Sequence, residues 1–465
     1  MADRRRVRLA LACAGTAALL AGCSSGPGAA APSAPAEGAS SSVATTAMTG
    51  TGTTGATPGT GRSSPPPVTS PGSVAWKAAL HGAVYAQPVV VGGRVFVATE
   101  DDYVYALALA TGRVIWRASV GSPLTHVQAY AGCGDIDPLG ITSTPVVDRA
   151  TGTLYVVGET SDGADPPSVA RRLFGLDMAT GRVISTADAD PTGGGDRQID
   201  LLQRPALVLD AGRVDVAFGG LFGDCGYYHG WVVGVPVAPG VARVEFDTTA
   251  GGSGGAIWQG GGPPAVDASG NLYMVTGNQN SQGTAGYYES VVKLSPQLVP
   301  EASFRDPAAT GDEDFGSTGP LLLPDGTLFA VGKTDVGYVL SQSDLRPVSR
   351  IPGVCGSDPD GRVAYDASTD AVYVPCRDGG IQEVDLRTRR LGWKAGEANS
   401  SPVLAAGSLW ALSYPACTLE ELDPLTGAVK QTTGIGPTAN FATPAYADGY
   451  LLAAGAAGTV VAFKA

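Results

Sequence analysis

Charge and metal-binding side chains are scarce in this chain. Of 465 residues only 16% are Asp, Glu, Lys or Arg, and only three are histidine. His81, His126 and His229 show no zinc-ligand spacing, which excludes a histidine-built zinc centre. Lys and Arg form no run after residue 8, and the net charge is −13, so nucleic acid is excluded as a partner class. No helical periodicity extends beyond two turns, and no apolar run is long enough to cross a bilayer. What is present instead, from Ser73 onward, is a succession of short Val-, Leu- and Tyr-rich runs separated by Gly, Asp and Pro turns.

The first residues read as a processing signal. Arg4, Arg5, Arg6 and Arg8 precede an apolar stretch, residues 9–20, and then Leu20-Ala21-Gly22-Cys23. This order resembles a bacterial lipobox, in which the cysteine is lipidated and becomes the first mature residue. Residues 1–22 are expected to be a signal peptide and Cys23 the lipid anchor. Two acyl chains suffice for stable anchoring. Residues 23–72 are Ser, Thr, Gly, Ala and Pro with almost nothing large and apolar. Such a segment cannot offset its conformational entropy by burial and is expected to be a flexible tether.

The body, 73–465, is built of repeats. Ala106-Leu-Ala-Leu-Ala-Thr-Gly-Arg-Val-Ile-Trp116 is echoed by Gly175–Ser185, Glu383–Trp393 and Glu421–Gln431, each reading strand, turn, strand. A second mark fixes the phase: a Pro opens an apolar run at Pro88, Pro145, Pro205, Pro264, Pro320, Pro402 and Pro444, and an eighth run at Arg362-Val-Ala-Tyr lacks it. Proline is tolerated at the first residue of a strand. Each run is followed by a hairpin partner and then by the two strands that flank the repeated turn. The pattern predicts an all-β, eight-bladed propeller of four strands per blade, with seven blades as the alternative. The last unit stops after its third strand at Phe463. The strand around Trp76 is expected to complete it and close the ring.

The motif Ala-x-Asp-x-x-Thr-Gly-x-x-x-Trp resembles the tryptophan-docking repeat of pyrroloquinoline-quinone-type (quinoprotein-like) propellers. Residues 106–116 keep Ala106, Thr111, Gly112 and Trp116, and residues 175–185 keep Asp177, Thr180 and Gly181. The resemblance extends over 73–465. Its enzymatic members imply a quinone, Ca²⁺ with Glu and Asn ligands, an Asp base and an adjacent Cys–Cys pair. No two cysteines are adjacent here, and no Cys-x-x-Cys-His haem motif is present. The resemblance also covers non-enzymatic relatives, such as the lipoprotein propeller of the outer-membrane assembly machinery.

Other motifs have plain readings. Gly251-Gly-Ser253-Gly-Gly255 lacks the strand-to-helix context and the base of a nucleophile elbow, and reads as a loop. Gly332-Lys333-Thr334 resembles a P-loop end, but Gly326 is one residue out of place and no helix follows. His229 reads as a strand-start histidine bonded to a neighbouring loop. Asp312, Glu313 and Asp314 are the candidate ligands for a cation such as Ca²⁺, against the plainer reading of a solvated acidic loop.

In a four-stranded meander the B-to-C and D-to-A connections share one face. The long insertions 121–143, 188–203, 247–262 and 306–318 all fall there. Tyr130, Trp258, Gln259, Asn278 and Asp314 are the candidate residues of the channel mouth. The same face carries Cys355 and Cys376, and Cys133 and Cys225. Two disulfides with these pairings are expected, which is permitted in an exported protein and leaves Cys417 as a free thiol. The function expected is a non-catalytic binding or assembly platform, lipid-anchored to the cell membrane on its extracytoplasmic side. Its partner would be another envelope protein or an extracellular ligand, and no cofactor is expected. A quinone- and Ca²⁺-dependent oxidoreductase is the alternative and a carbohydrate-active enzyme the weaker one.

Overall fold

A computed structural model of the chain describes residues 74–280, 286–311 and 313–464. The signal peptide, Cys23, the tether and Asp312 lie outside the described residues. Eight antiparallel sheets form a ring. Blades 1 to 7 occupy 89–119, 146–188, 208–247, 265–305, 321–352, 364–395 and 403–434, each with strands A to D in chain order. Blade 8 takes strands A, B and C from 445–464 and its D strand from Val74–Ala79. Trp76 stands opposite Ala462 and Ala79 opposite Thr459, so the two ends of the body meet in one sheet, as expected. In blade 3 the short strand Leu201–Leu202 adds to the end of Arg213–Gly220. Among the described residues no helix is long and apolar enough to cross a membrane.

The burial of each strand follows from its place in the ring. Strands B and C are covered on both faces by adjacent blades and are nearly all buried, as in Arg94–Ala98 and Tyr103–Ala108. Strand D is the outer edge. Val74–Ala79 and Val114–Ser119 have the same burial pattern, in which Trp76 and Trp116 are the buried residues.

Those tryptophans explain the repeated turn. Trp76 of blade 8 donates from Nε1 to the Leu109 carbonyl of blade 1 at 2.7 Å, and its ring lies against Gly112. Trp116 does the same to Met178 (3.1 Å) and Gly181 of blade 2, and Trp393 to Pro424 (3.2 Å) and Gly427 of blade 7. A Cβ at Gly112 would sit 2.4 Å from the Trp76 ring, and its φ of +68° is left-handed. Glycine is therefore required twice over. Trp and Thr-Gly belong to different blades but to one contact. Blade 3 has no such turn, and blade 2 accordingly carries Ser185 in place of the tryptophan.

Cys133–Cys225 and Cys355–Cys376 are disulfides, the two pairings expected. Cys417 is also disulfide-bonded, so it is not a free thiol.

Candidate functional site

The four long insertions are D-to-A connections of blades 1 to 4. They carry the one short α-helix among the described residues, Val127–Ala131, and the 3₁₀ turns Gln198–Asp200, Gln259–Gly261 and Phe315–Ser317. They gather at the end of the ring opposite the Thr-Gly turns.

Three of the five channel-mouth candidates come together. The Asp314 carboxylate and the Trp258 ring both pack around Gly277, where a Cβ would lie 2.7 Å from Asp314 Oδ1 and 3.1 Å from the indole. Asn278 follows directly and donates its backbone N–H to Asp314 Oδ1 at 3.1 Å. Lys333, seen in the sequence only as a failed P-loop, forms an ion pair with Asp314 Oδ2. Trp258 Nε1 donates to the Gly220 carbonyl at 2.9 Å. Glu289 accepts from Phe315 N–H at 2.6 Å, and burial pushes its carboxyl up to about 8. Gln259 turns inward, accepting from Val275 N–H at 3.1 Å. Tyr130 stands apart in a shallow groove with Pro166, Pro167 and Arg197. Glu313 accepts from Thr310 N–H at 2.6 Å, so it and Asp314 turn to different partners.

The axis of the ring holds two residues that sequence reasoning missed. Arg204 precedes strand A of blade 3, and its Nη2 donates to the Asn440 carbonyl before blade 8 at 2.7 Å. Its guanidinium lies 5.2 Å from the Tyr85 ring centroid and 5.1 Å from that of Phe441. Arg362 precedes strand A of blade 6, and its Nη1 donates to Gln87 Oε1 before blade 1 at 3.3 Å. Blades 3 and 8, and 6 and 1, are three apart, so both side chains bridge the channel. The available signal was an Arg at the strand-A start, most visibly where the proline is missing.

The same end buries ionisable groups. Asp102 is fully buried with neither carboxyl oxygen hydrogen-bonded. Burial, then the charges of Glu100 and Glu159, push it up to about 8. Glu100 and Glu159 are pushed by burial to about 7. His229 sits between two acceptors, with Nδ1 3.1 Å from Asp247 and Nε2 2.6 Å from the Gly252 carbonyl. Burial opposes the charged ring, but Asp247, Asp196 and the Gly252 carbonyl outweigh it, and its pKa is raised. The bonded-loop reading of His229 therefore holds, and its target is the glycine loop around Ser253.

Several of these groups are already matched within the chain. Asp314 is neutralised by Lys333, and Glu289 is held in its uncharged form. Asn278 Oδ1 and Glu289 Oε1 are buried side-chain oxygens without a hydrogen-bond partner. Among the described residues no group of three or more His, Cys, Asp or Glu could hold a metal ion. Cys133–Cys225 and Cys355–Cys376 join cysteines distant in sequence rather than adjacent ones.

One loop at this end faces outward. Residues 221–230 are tied down by Cys133–Cys225, by Asp200 accepting from Tyr227 N–H at 3.1 Å and by Tyr228 donating to Asp224 at 2.5 Å. Yet Phe222 is 63% exposed and Tyr227 42%.

Residues 68–220 match the family model described as outer membrane protein assembly factor BamB. No curated protein matches the chain. Among solved structures, quinohemoprotein alcohol dehydrogenase from Comamonas testosteroni is similar at 16% identity and a TM-score of 0.64, over 84% of this chain and 76% of that one. A europium-containing methanol dehydrogenase gives 16% and 0.64 over 82% and 84%. BamB from Moraxella catarrhalis gives 14% and 0.58 over 85% and 99%. At these identities the likeness is one of fold, and the fold serves enzymes and an assembly factor alike.

Proposed function

We propose that this chain is a non-catalytic binding or assembly platform of the cell envelope, anchored through lipid on Cys23 and engaging a protein partner through its insertion-bearing end. The observation that carries this reading is the loop 221–230. It is braced by a disulfide and buried polar contacts, yet it presents Phe222 and Tyr227 to solvent. An aromatic side chain on a rigid support is the usual anchor of a protein interface, because little entropy is lost on docking. The paired cysteines agree with an extracytoplasmic location. The similarity of residues 68–220 to an assembly factor points the same way.

Co-purification from membranes under mild detergent tests the reading. The full chain should retain a stoichiometric partner, and Phe222→Asp should lose it while keeping the melting temperature of the native protein. Equal recovery with both proteins would refute the assignment of the loop.

A further inference from the structure

The centre of the ring leaves two charges unexplained. Arg204 is 6% exposed and Arg362 is partly buried. Among the described residues neither guanidinium forms an ion pair. A guanidinium removed from bulk water is normally matched by a carboxylate, because an unmatched charge there costs free energy. Three carboxyls act on Arg204 from farther away, Asp135 most strongly, then Glu100 and Asp360, and none of them is ion-paired with it. Glu100 is held by Gly140 N–H and the Thr142 hydroxyl, both at 3.0 Å, and Asp360 by Arg377 at 2.9 Å. Arg362 has no acidic neighbour acting on it, and burial alone depresses its pKa. Its side chain makes one hydrogen bond, to a neutral amide, out of five donors.

The two side chains also share a support. Arg362 packs against Gly262, where a Cβ would lie 2.8 Å from its Cδ, and Arg204 Nε is 3.8 Å from the Cβ position of Gly261. Two underused guanidinia thus enter the channel beside consecutive residues of one bend.

We propose that the mouth of the channel is a binding site for a small carboxylate ion, held by Arg204 and Arg362. The guanidinium fork matches a planar carboxylate. The rings of Tyr85 and Phe441, which flank Arg204, keep water from one side. The site is a positive spot in a body whose net charge is negative, which disfavours polyanions and admits a small ion. This proposal does not rest on the platform reading, because it needs no protein partner.

The test is titration of the full-length protein in detergent with sodium malonate, read by calorimetry and by melting temperature, against sodium chloride at equal ionic strength. Saturable binding of malonate and no saturable effect of chloride are expected. Arg362→Gln should weaken malonate binding about tenfold or more, the loss of one charge-assisted contact, and Arg362→Lys should restore part of it. Native near-ultraviolet circular dichroism qualifies each variant. Should Arg362→Gln fail to fold, the wild-type titration decides alone. Absence of saturable malonate binding, wild-type affinity in Arg204→Gln and Arg362→Gln, or tighter binding of phosphate than of malonate would each overturn the proposal.

Discussion

The two ends of the ring treat charge in opposite ways. At the Thr-Gly end the turn carboxylates are exposed caps, although Asp215, just inside strand B of blade 3, is buried and pushed up to about 7. Asp177 accepts from Thr180 O–H and N–H and from Ala179 N–H, and those bonds hold its pKa low. At Asp423 burial is the largest single effect and acts upward, but the bonds from Leu425 N–H and Thr426 O–H, with Lys430, together outweigh it and the pKa is lowered. At the insertion end Glu100, Asp102, Glu159, Glu289 and Asp360 are pushed upward, each by burial first. One end spends its polar groups on repeated turns and tryptophan seams. The other takes polar groups into the interior, at a cost in stability, and surrounds them with loops that differ from blade to blade. Departure from the repeat therefore marks the end where the proposed function is placed.

The largest effect should come from breaking the regular end. Deletion through residue 72 keeps all eight blades, whereas deletion through residue 80 removes the D strand of blade 8 and should lower the melting temperature most. Trp76→Ala, which keeps the strand but empties its seam, should cost about 3–5 kcal/mol in denaturant unfolding. Equal melting temperatures for the two deletions would refute ring closure by this strand. The seam between blades 3 and 4, where Arg213 donates to the Pro296 carbonyl in place of a tryptophan, offers a weaker comparison. Arg213→Ala should cost about 1–3 kcal/mol.

A smaller effect separates the two ends by pH. A carboxyl whose folded pKa lies above its unfolded value contributes stability that is full below the unfolded pKa and is lost as pH rises through the folded one. For Asp102 that window runs from its ordinary 3.8 to about 8. The protein should therefore melt a few degrees lower at pH 8 than at pH 5. Asp102→Asn, which fixes a neutral side chain, should flatten that decline. The caps at Asp177 and Asp423 act the other way, losing stability as pH falls below 3.8 and through their lowered values. A melting temperature that rises between pH 5 and pH 8 would show that the buried carboxyls do not set the pH dependence.

The regular end was legible in the sequence because its contacts repeat. Trp116, Thr111-Gly112 and the strand-opening prolines give the blade count and the phase, and the shared face of the B-to-C and D-to-A loops gives both disulfides. The insertion end was legible only in part. Trp258, Asn278 and Asp314 were named and do converge. Lys333 was passed over because it was judged by a phosphate motif rather than by position. Arg362 and Gln87 are 275 residues apart, and no local pattern reports a contact across the axis. Asp102 gave no signal because its burial depends on Gly121, Gly140 and Gly158 closing around it.

The sharpest division between a binding platform and a cofactor pocket is a binding titration of the full chain with pyrroloquinoline quinone and Ca²⁺, comparing wild type with Asn278→Ala and Asp314→Asn. No binding that depends on these two residues is expected, since Asp314 is already matched by Lys333 and Asn278. Stoichiometric quinone binding that either substitution abolishes would contradict the platform reading and make this end of the ring an enzyme site.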